Sequence, residues 1–378
     1  MSDSARPLIS VIIPTRERAE TLYFAVQTAL DQTSNNFEVI VSDNFSQDNT
    51  TEVVRNFSDP RLVYFNTGQR LSMCDNWEFA LEKVKGEYIV FIGDDDAVMP
   101  GGINRLQALI QERQSDVYTW GPSIYTWPID DRKATIEYLQ PVRPIHEMNL
   151  QRMASFVITH GGWQYYRLPG VYHAAVSIKI LDMIRKSTGR VFHTTQPDVF
   201  TSLAVPVFAK TCINTGHPVT VHGRSAKSNG AASVVRDGVT IQSTFIREYA
   251  NYQLHPTLFP GAPVWSNLLG DTCLVTMDKF PEFYGKMKFN YEAMWAYLWQ
   301  LQYVSFWEII MNRSNINKYH SFRAPLFSYY VVFQGAVILR RRILNKLANR
   351  RQSKLDIPEN IQDFANLLSR IQERKFII

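Results

Sequence analysis

The chain has 378 residues, 45% hydrophobic and 20% charged, with a formal net charge of +5, a composition that suits one large globular domain, or a core domain with an appendage, and excludes a disordered chain. Seven cations (Arg340, Arg341, Arg342, Lys346, Arg350, Arg351 and Lys354) stand in one acid-free run, and taking those seven from +5 leaves the remainder at −2, so the charge argues for an anionic surface met by one segment and against a nucleic-acid partner. Cys74, Cys212 and Cys273 are widely spaced with no C-x-x-C pair, which excludes a disulfide framework or a structural zinc site and predicts a reducing, cytoplasmic setting.

Met1 to Pro7 is polar and carries no apolar leader. Leu8 to Ile13 then reads as a strand ended by Pro14, and Ala19 to Gln32 follows with helical spacing of Leu22, Val26, Ala29 and Leu30. Phe37 to Val41 is a second strand, and Asp48-Asn49-Thr50 marks a helix start, since Asp and Asn cap orphan amides. Leu62 to Phe65 is a third strand, Cys74 to Lys85 a helix, Tyr88 to Ile92 a fourth strand and Asp116 to Trp120 a fifth, with Pro100-Gly101-Gly102 breaking the chain before another helix. Alternating βα units predict an α/β fold with a mostly parallel sheet and helices on both faces. From about 125 to 172 the pattern blurs into Pro and aromatic residues, and from 241 onward it turns helical. No stretch reaches the ~18 uninterrupted apolar residues of a spanning helix.

One segment carries the chemistry: Gly86-Glu87-Tyr88-Ile89-Val90-Phe91-Ile92-Gly93-Asp94-Asp95-Asp96 runs an apolar strand into three carboxylates. Adjacent carboxylates raise each other's pKa unless a cation neutralises them, and hard divalent ions share such oxygens with phosphates. The carboxyl end of a buried strand is also where open α/β sheets bind ligands. A solvated acidic turn is the competing reading.

Ile9-Ser10-Val11-Ile12-Ile13-Pro14-Thr15-Arg16-Glu17-Arg18, Val39 to Thr50, and Gly86 to Asp96 with the following Pro100 occur in that order and spacing. Together they resemble the inverting family-two glycosyltransferases of GT-A fold, over residues 7–230, about three-fifths of the chain. The resemblance implies a GT-A-type, mostly parallel twisted sheet flanked by helices over residues 1–235, with an acceptor-side insertion at about 125–172, and a helical C-terminal extension over 236–378. It also implies a nucleotide-sugar site in which Pro14, Thr15 and Arg18 line the base. Asp43 would accept a hydrogen bond from a uracil or thymine imide, which favours a UDP- or dTDP-sugar donor; a strand-ending Asx turn is the alternative for Asp43. Asn76 and Arg70 match positions that contact the nucleotide or the acceptor side.

The common Asp-x-Asp-Asp pattern is shifted here, its first Asp falling on Gly93. The resemblance then assigns Asp95 to a divalent metal, Mn²⁺ or Mg²⁺, Asp94 to the ribose, and Asp96 to the metal site or the donor sugar. Asp198, in Thr195-Gln196-Pro197-Asp198, matches the general base, against a plain helix N-terminal Asp; Asp182 and Asp237 are the other candidates. His222 follows Asp198 by 24 residues, as does a metal-binding histidine in the family, with His217 the second choice. Arg224 and Lys227 match diphosphate contacts on a loop running through Ser228-Asn229-Gly230, and His160-Gly161-Gly162-Trp163 reads either as an acceptor wall or as a buried Trp beside a glycine turn.

The implied activity is hexosyl transfer from such a donor to a hydroxyl of a glycan, lipid-linked or surface polysaccharide acceptor. A sugar nucleotidyltransferase would want a glycine-rich loop after the first strand, which Pro14 to Arg18 lacks. A catalytically silent carbohydrate-binding module is the third reading, against which the joint presence of Asp94, Asp95, Asp198 and His222 speaks. Over 339–355, Leu339, Ile343, Leu344 and Leu347 fall near one helix face beside the seven cations. That pattern predicts peripheral contact with an anionic membrane at the inner face; a helix packed on the catalytic domain, or a homo-oligomer contact through the C-terminal helices, accounts for it equally.

Overall fold

The computed structural model describes residues 6–228, 248–249, 253–258, 265–300, 307, 309, 322–352 and 357–375. Strands β1 (Ile9–Thr15), β2 (Phe37–Asp43), β3 (Leu62–Asn66) and β4 (Tyr88–Phe91) alternate with helices α1 (Ala19–Leu30), α2 (Thr50–Arg55) and α3 (Met73–Leu81). They pair in parallel in the order β3-β2-β1-β4. β1 does not stop before Pro14, as its sequence suggests, but runs through Thr15. Its pairing with β4 ends at Ile12, so at Pro14 that side of the strand has no ladder to interrupt.

Side chains alternate across this sheet. Ile9, Val11 and Ile13 pack with α1, whereas Ile12, Ile40 and Phe91 pack with Trp77 of α3 and the helices beyond. Both faces are covered, which is why β1 and β2 are near-continuous apolar runs.

The second half of the sheet departs from simple alternation. β10 (Ala174–Ser177) inserts antiparallel between β4 and β6 (Val117–Thr119), and β11 (Cys212–Asn214) and β9 (His146–Glu147) complete eight strands. Part of the region that reads as loop is also regular: β7 (Ser123–Thr126), β8 (Thr135–Tyr138) and helix α5 (Leu150–Thr159) lie within or at its border. β7 and β8 join β5 (Ala97–Val98) and β12 (Thr220–Arg224) in a second, four-stranded sheet of order β5-β12-β7-β8. Their local sequences are too short and too aromatic for a period-2 signal; the pairing itself defines them.

The C-terminal region is helical, with helices Trp265–Lys279, Tyr291–Gln300, Ala324–Gln352 and Ile361–Lys375. The last returns to the N-terminal half, where Ile361, Phe364, Ala365 and Leu368 pack on Ala97, Met99, Tyr125 and Val221 behind the second sheet. Tyr125 stacks on Phe364 with ring centroids 5.1 Å apart. Trp163 is 5% exposed and meets Phe333 of Ala324–Gln352 edge-on at 5.6 Å. The structure therefore bears out the buried Trp rather than an acceptor wall. Gly161 (φ +66) is needed there, since a Cβ would lie 2.5 Å from the Asn290 carbonyl and the Met294 amide.

Candidate active site

The three carboxylates leave β4 in different directions, each held by a different neighbour. Asp94 turns back to the end of β1, where Thr15 Oγ1 donates to it at 2.8 Å and Arg18 Nη1 at 2.8 Å. Each of its oxygens has one donor, so lone pairs remain for further hydroxyl donors. Asp95 turns toward the chain after β12: Ser225 donates to its Oδ2 from N (3.1 Å) and Oγ (2.7 Å), and Trp127 Nε1 donates to its backbone carbonyl at 2.9 Å. Burial, and then the charge of Asp96, push the Asp95 carboxyl up to about 6.

Asp96 is fully buried. Gly223 N donates to Oδ1 at 2.7 Å, and Gly93 N (2.5 Å) and Tyr172 Oη (2.7 Å) donate to Oδ2. His222 Nδ1 lies 3.3 Å from Oδ1, and His173 Nε2 lies 3.3 Å from Oδ2. Burial disfavours the charged form of Asp96, but His173, His222 and Tyr172 outweigh it and hold the carboxyl far below the usual range. Burial pushes the His173 imidazole down to about 4, leaving it neutral with a free lone pair at pH 7. Burial also disfavours charge on His222, yet its bond to Asp96 raises its pKa.

Strand register explains this meeting. β5 begins directly after Asp96 and pairs antiparallel with β12, Val98 opposite Thr220 and Ala97 opposite Val221. One step further places His222 beside Asp96, and the next brings Gly223 against Asp95. Only glycine fits at 223, because a Cβ would stand 1.6 Å from the Asp95 carbonyl oxygen. Gly93 is enclosed too: a Cβ there would meet Asp95 Oδ1, Asp96 Oδ2 and the Tyr172 hydroxyl at 3.0–3.2 Å. A side chain at position 93 would have to displace these polar groups by a few tenths of an ångström.

Among the described residues, carboxylate and imidazole ligand atoms converge within 4.8 Å of one another at Asp96, His173 and His222. Sequence reasoning paired His222 with Asp95. In the structure the carboxylate drawn to His222 is Asp96, since Asp95 Oδ2 is bonded to Ser225. His173 was missed because an isolated histidine after Tyr172 has no spacing signal. One carboxylate oxygen and two imidazoles suit a divalent transition ion, so the residues present fit the metal that the family resemblance implies.

Around this centre the other expected residues divide. Pro14, Thr15, Arg18 and Asp94 lie together at the ends of β1 and β4. Asp43 is fully buried at the end of β2, accepting from Ser46 N at 2.9 Å, Tyr64 Oη at 2.7 Å and Asn66 Nδ2 at 2.9 Å. A carboxylate accepts about four bonds, so one place remains for a ligand donor. Asn76 is buried and accepts from Ser42 Oγ at 2.7 Å, a contact that braces α3 on β2. Arg70 and Arg16 both reach Glu248. Arg224 pairs with Glu137 on β8, and Lys227 donates to the Glu17 carbonyl at 3.0 Å.

Asp198 occupies the second position of α7 (Pro197–Phe208), half-buried; burial raises its pKa above the ordinary carboxylate range, against backbone N–H donors that lower it. It is within electrostatic reach of the centre, since it raises the Tyr172 pKa and the charge of His222 lowers its own. Asp182 is on α6 (Ile178–Thr188), paired with Arg185 at 3.1 Å. His217 is not among the ligand atoms gathered at Asp96. Asp237, Asn229 and Gly230 lie outside the described residues.

A "GalNAc(5)-diNAcBac-PP-undecaprenol beta-1,3-glucosyltransferase" of Campylobacter jejuni is 33% identical over 115 residues, 30% of this chain and 37% of that one. The Escherichia coli "UDP-Glc:alpha-D-GlcNAc-diphosphoundecaprenol beta-1,3-glucosyltransferase WfaP" is 33% identical over 89 residues, 24% of this chain and 36% of that one. The chain thus spans little more than a third of the length of these curated relatives. Among solved structures, residues 1–349 of S. aureus TarS in complex with UDP-GlcNAc superpose with a TM-score of 0.48 at 16% identity, covering 93% of this chain and 95% of that one. Residues 10–169 match the model of the family described as Glycosyl transferase family 2, a span that contains Thr15, Asp43 and the whole acidic turn, so this part of the chain carries that family's domain.

Proposed function

We propose that this protein is a metal-dependent, inverting glycosyltransferase that moves a sugar from a UDP- or dTDP-sugar to a hydroxyl of a lipid-linked or surface glycan. The observation that carries the reading is the divided acidic turn, with one carboxylate tied to the base-lining loop and another facing two imidazoles. Asp43, at the far edge of that loop, keeps one acceptor place for an imide N–H, and the free lone pairs of Asp94 suit ribose hydroxyls. Asp96 and His222 would hold the ion, with Asp95 beside them; a divalent cation bound there acts as a Lewis acid on a leaving diphosphate. Asp198 would take the acceptor proton, its raised pKa bringing it nearer the working pH. The lipid-linked acceptor rests on the relatives' names, both of which specify undecaprenol diphosphate substrates.

Calorimetry tests the donor site. UDP should bind in Mn²⁺ and lose most of its affinity in EDTA; equal affinity in both sinks the metal-dependent reading.

A lipid-linked acceptor also calls for proximity to a membrane. Among the described residues no helix is long and apolar enough to cross one. Helix Ala324–Gln352 does expose Tyr329, Val332, Leu339 and Ile343, each more than half accessible, along one side before and within the basic run. The side chains of Leu344 and Leu347, and of the cations beyond Arg340, are not among those the structure describes. An interfacial helix with this composition gains about 1 kcal/mol per cation near anionic headgroups. The protein should float with anionic vesicles at low salt and be released at high salt. Failure to float at any salt concentration removes the membrane contact and leaves packing on a second copy as the use of this face.

A further inference from the structure

We infer that His173 is a third protein ligand to the divalent ion, and that its imidazole, with that of His222, biases the site toward Mn²⁺ over Mg²⁺; this deepens the metal-dependent reading above and rests on it. His173 Nε2 is 3.2 Å from His222 Nδ1 and 3.3 Å from Asp96 Oδ2, and His222 Nδ1 is 3.3 Å from Asp96 Oδ1. Neighbouring ligands about 2.1 Å from an octahedral ion stand about 3 Å apart, so the three separations are those of groups sharing one ion. Asp96 does not need the imidazoles for its own satisfaction, because Gly93, Gly223 and Tyr172 already donate to it at 2.5–2.7 Å.

Two further features aim the ring. Thr220 Oγ1 lies 2.7 Å from His173 Nδ1 and also accepts from Trp120 Nε1 at 2.7 Å. A hydroxyl has two lone pairs, so it can take both donors; with its proton on Nδ1, His173 presents the Nε2 lone pair to the centre. The backbone at His173 is left-handed (φ 52°), a conformation that costs a non-glycine residue about 1–2 kcal/mol. His173 N donates to the Phe91 carbonyl at 3.1 Å, which ties that turn to the strand that delivers the acidic residues. Mg²⁺ favours oxygen and water, whereas imidazole suits later divalent ions, so a second imidazole discriminates against Mg²⁺.

Pulsed EPR on the full chain loaded with Mn²⁺, its histidines ¹⁵N-labelled, reads the ligands directly. Two histidine nitrogens coupled to each ion are expected; one overturns the assignment of His173 and leaves the transferase reading standing. Absence of any Mn²⁺ binding, with or without UDP, overturns both. As a second measurement, His173→Asn should weaken Mn²⁺ binding about 10–100-fold and Mg²⁺ binding much less. A folded variant with wild-type Mn²⁺ affinity also overturns the proposal, and the EPR experiment decides should the variant not fold.

Discussion

Asp198→Asn is expected to lower kcat by ~10²–10⁴-fold while UDP affinity stays near wild type. The residue sits at the start of α7, where the helix dipole favours a carboxylate, yet burial raises its pKa above the ordinary value. A general base works only when deprotonated. Wild-type kcat/KM should therefore rise with pH through a limb lying above the usual carboxylate range and then level off, and the variant should lack that limb. A variant retaining more than about a tenth of wild-type kcat would refute the role. Asp182, half-exposed and paired with Arg185, and Asp237 would then be tested in turn.

Removing the Asp96 carboxylate should have the largest effect on the folded protein itself. In Asp96→Ala the amides of Gly93 and Gly223 and the Tyr172 hydroxyl lose a buried acceptor, and His222 loses its anionic partner. Breaking such a buried charged network typically costs about 3–5 kcal/mol, so a sharply lower urea midpoint or loss of soluble protein is the expected outcome. Asp96→Asn keeps the shape but turns one accepting oxygen into an NH2 that faces a buried donor, so it should be destabilised less than Asp96→Ala, fold, and lose Mn²⁺ affinity. Set beside Asp95→Asn, it separates two assignments: the local sequence pattern points to Asp95, whereas the geometry points to Asp96. An Asp96→Asn protein that binds Mn²⁺ and UDP like the wild type, while Asp95→Asn does not, would restore the first.

Much of the catalytic half can be read without coordinates, because its signals are local. The period-2 and period-3.6 runs from Ile9 to Phe91 become β1, α1, β2, α2, β3, α3 and β4, with boundaries shifted by a few residues. The clearest shift, the passage of β1 through Pro14, depends on which neighbour is absent, and that is a property of the sheet. The apolar strand running into Asp94, Asp95 and Asp96 is equally local, as is the polar turn after β1 that meets Asp94.

What the amino-acid sequence alone determined, then, is the α/β frame, the acidic turn at a strand end and the family that these motifs resemble, since each follows from neighbours in the chain. The tertiary structure alone decided which neighbours each of the three carboxylates meets. β5 is two residues long and carries no signal of its own, yet its antiparallel pairing with β12 sets His222 against Asp96 and lets Ser225 take Asp95. The turn before β10, bridged to Phe91, brings Tyr172 and His173 to the same carboxylate. These partners are far apart in sequence, and only hydrogen-bond register and close packing in three dimensions choose between adjacent, chemically identical aspartates.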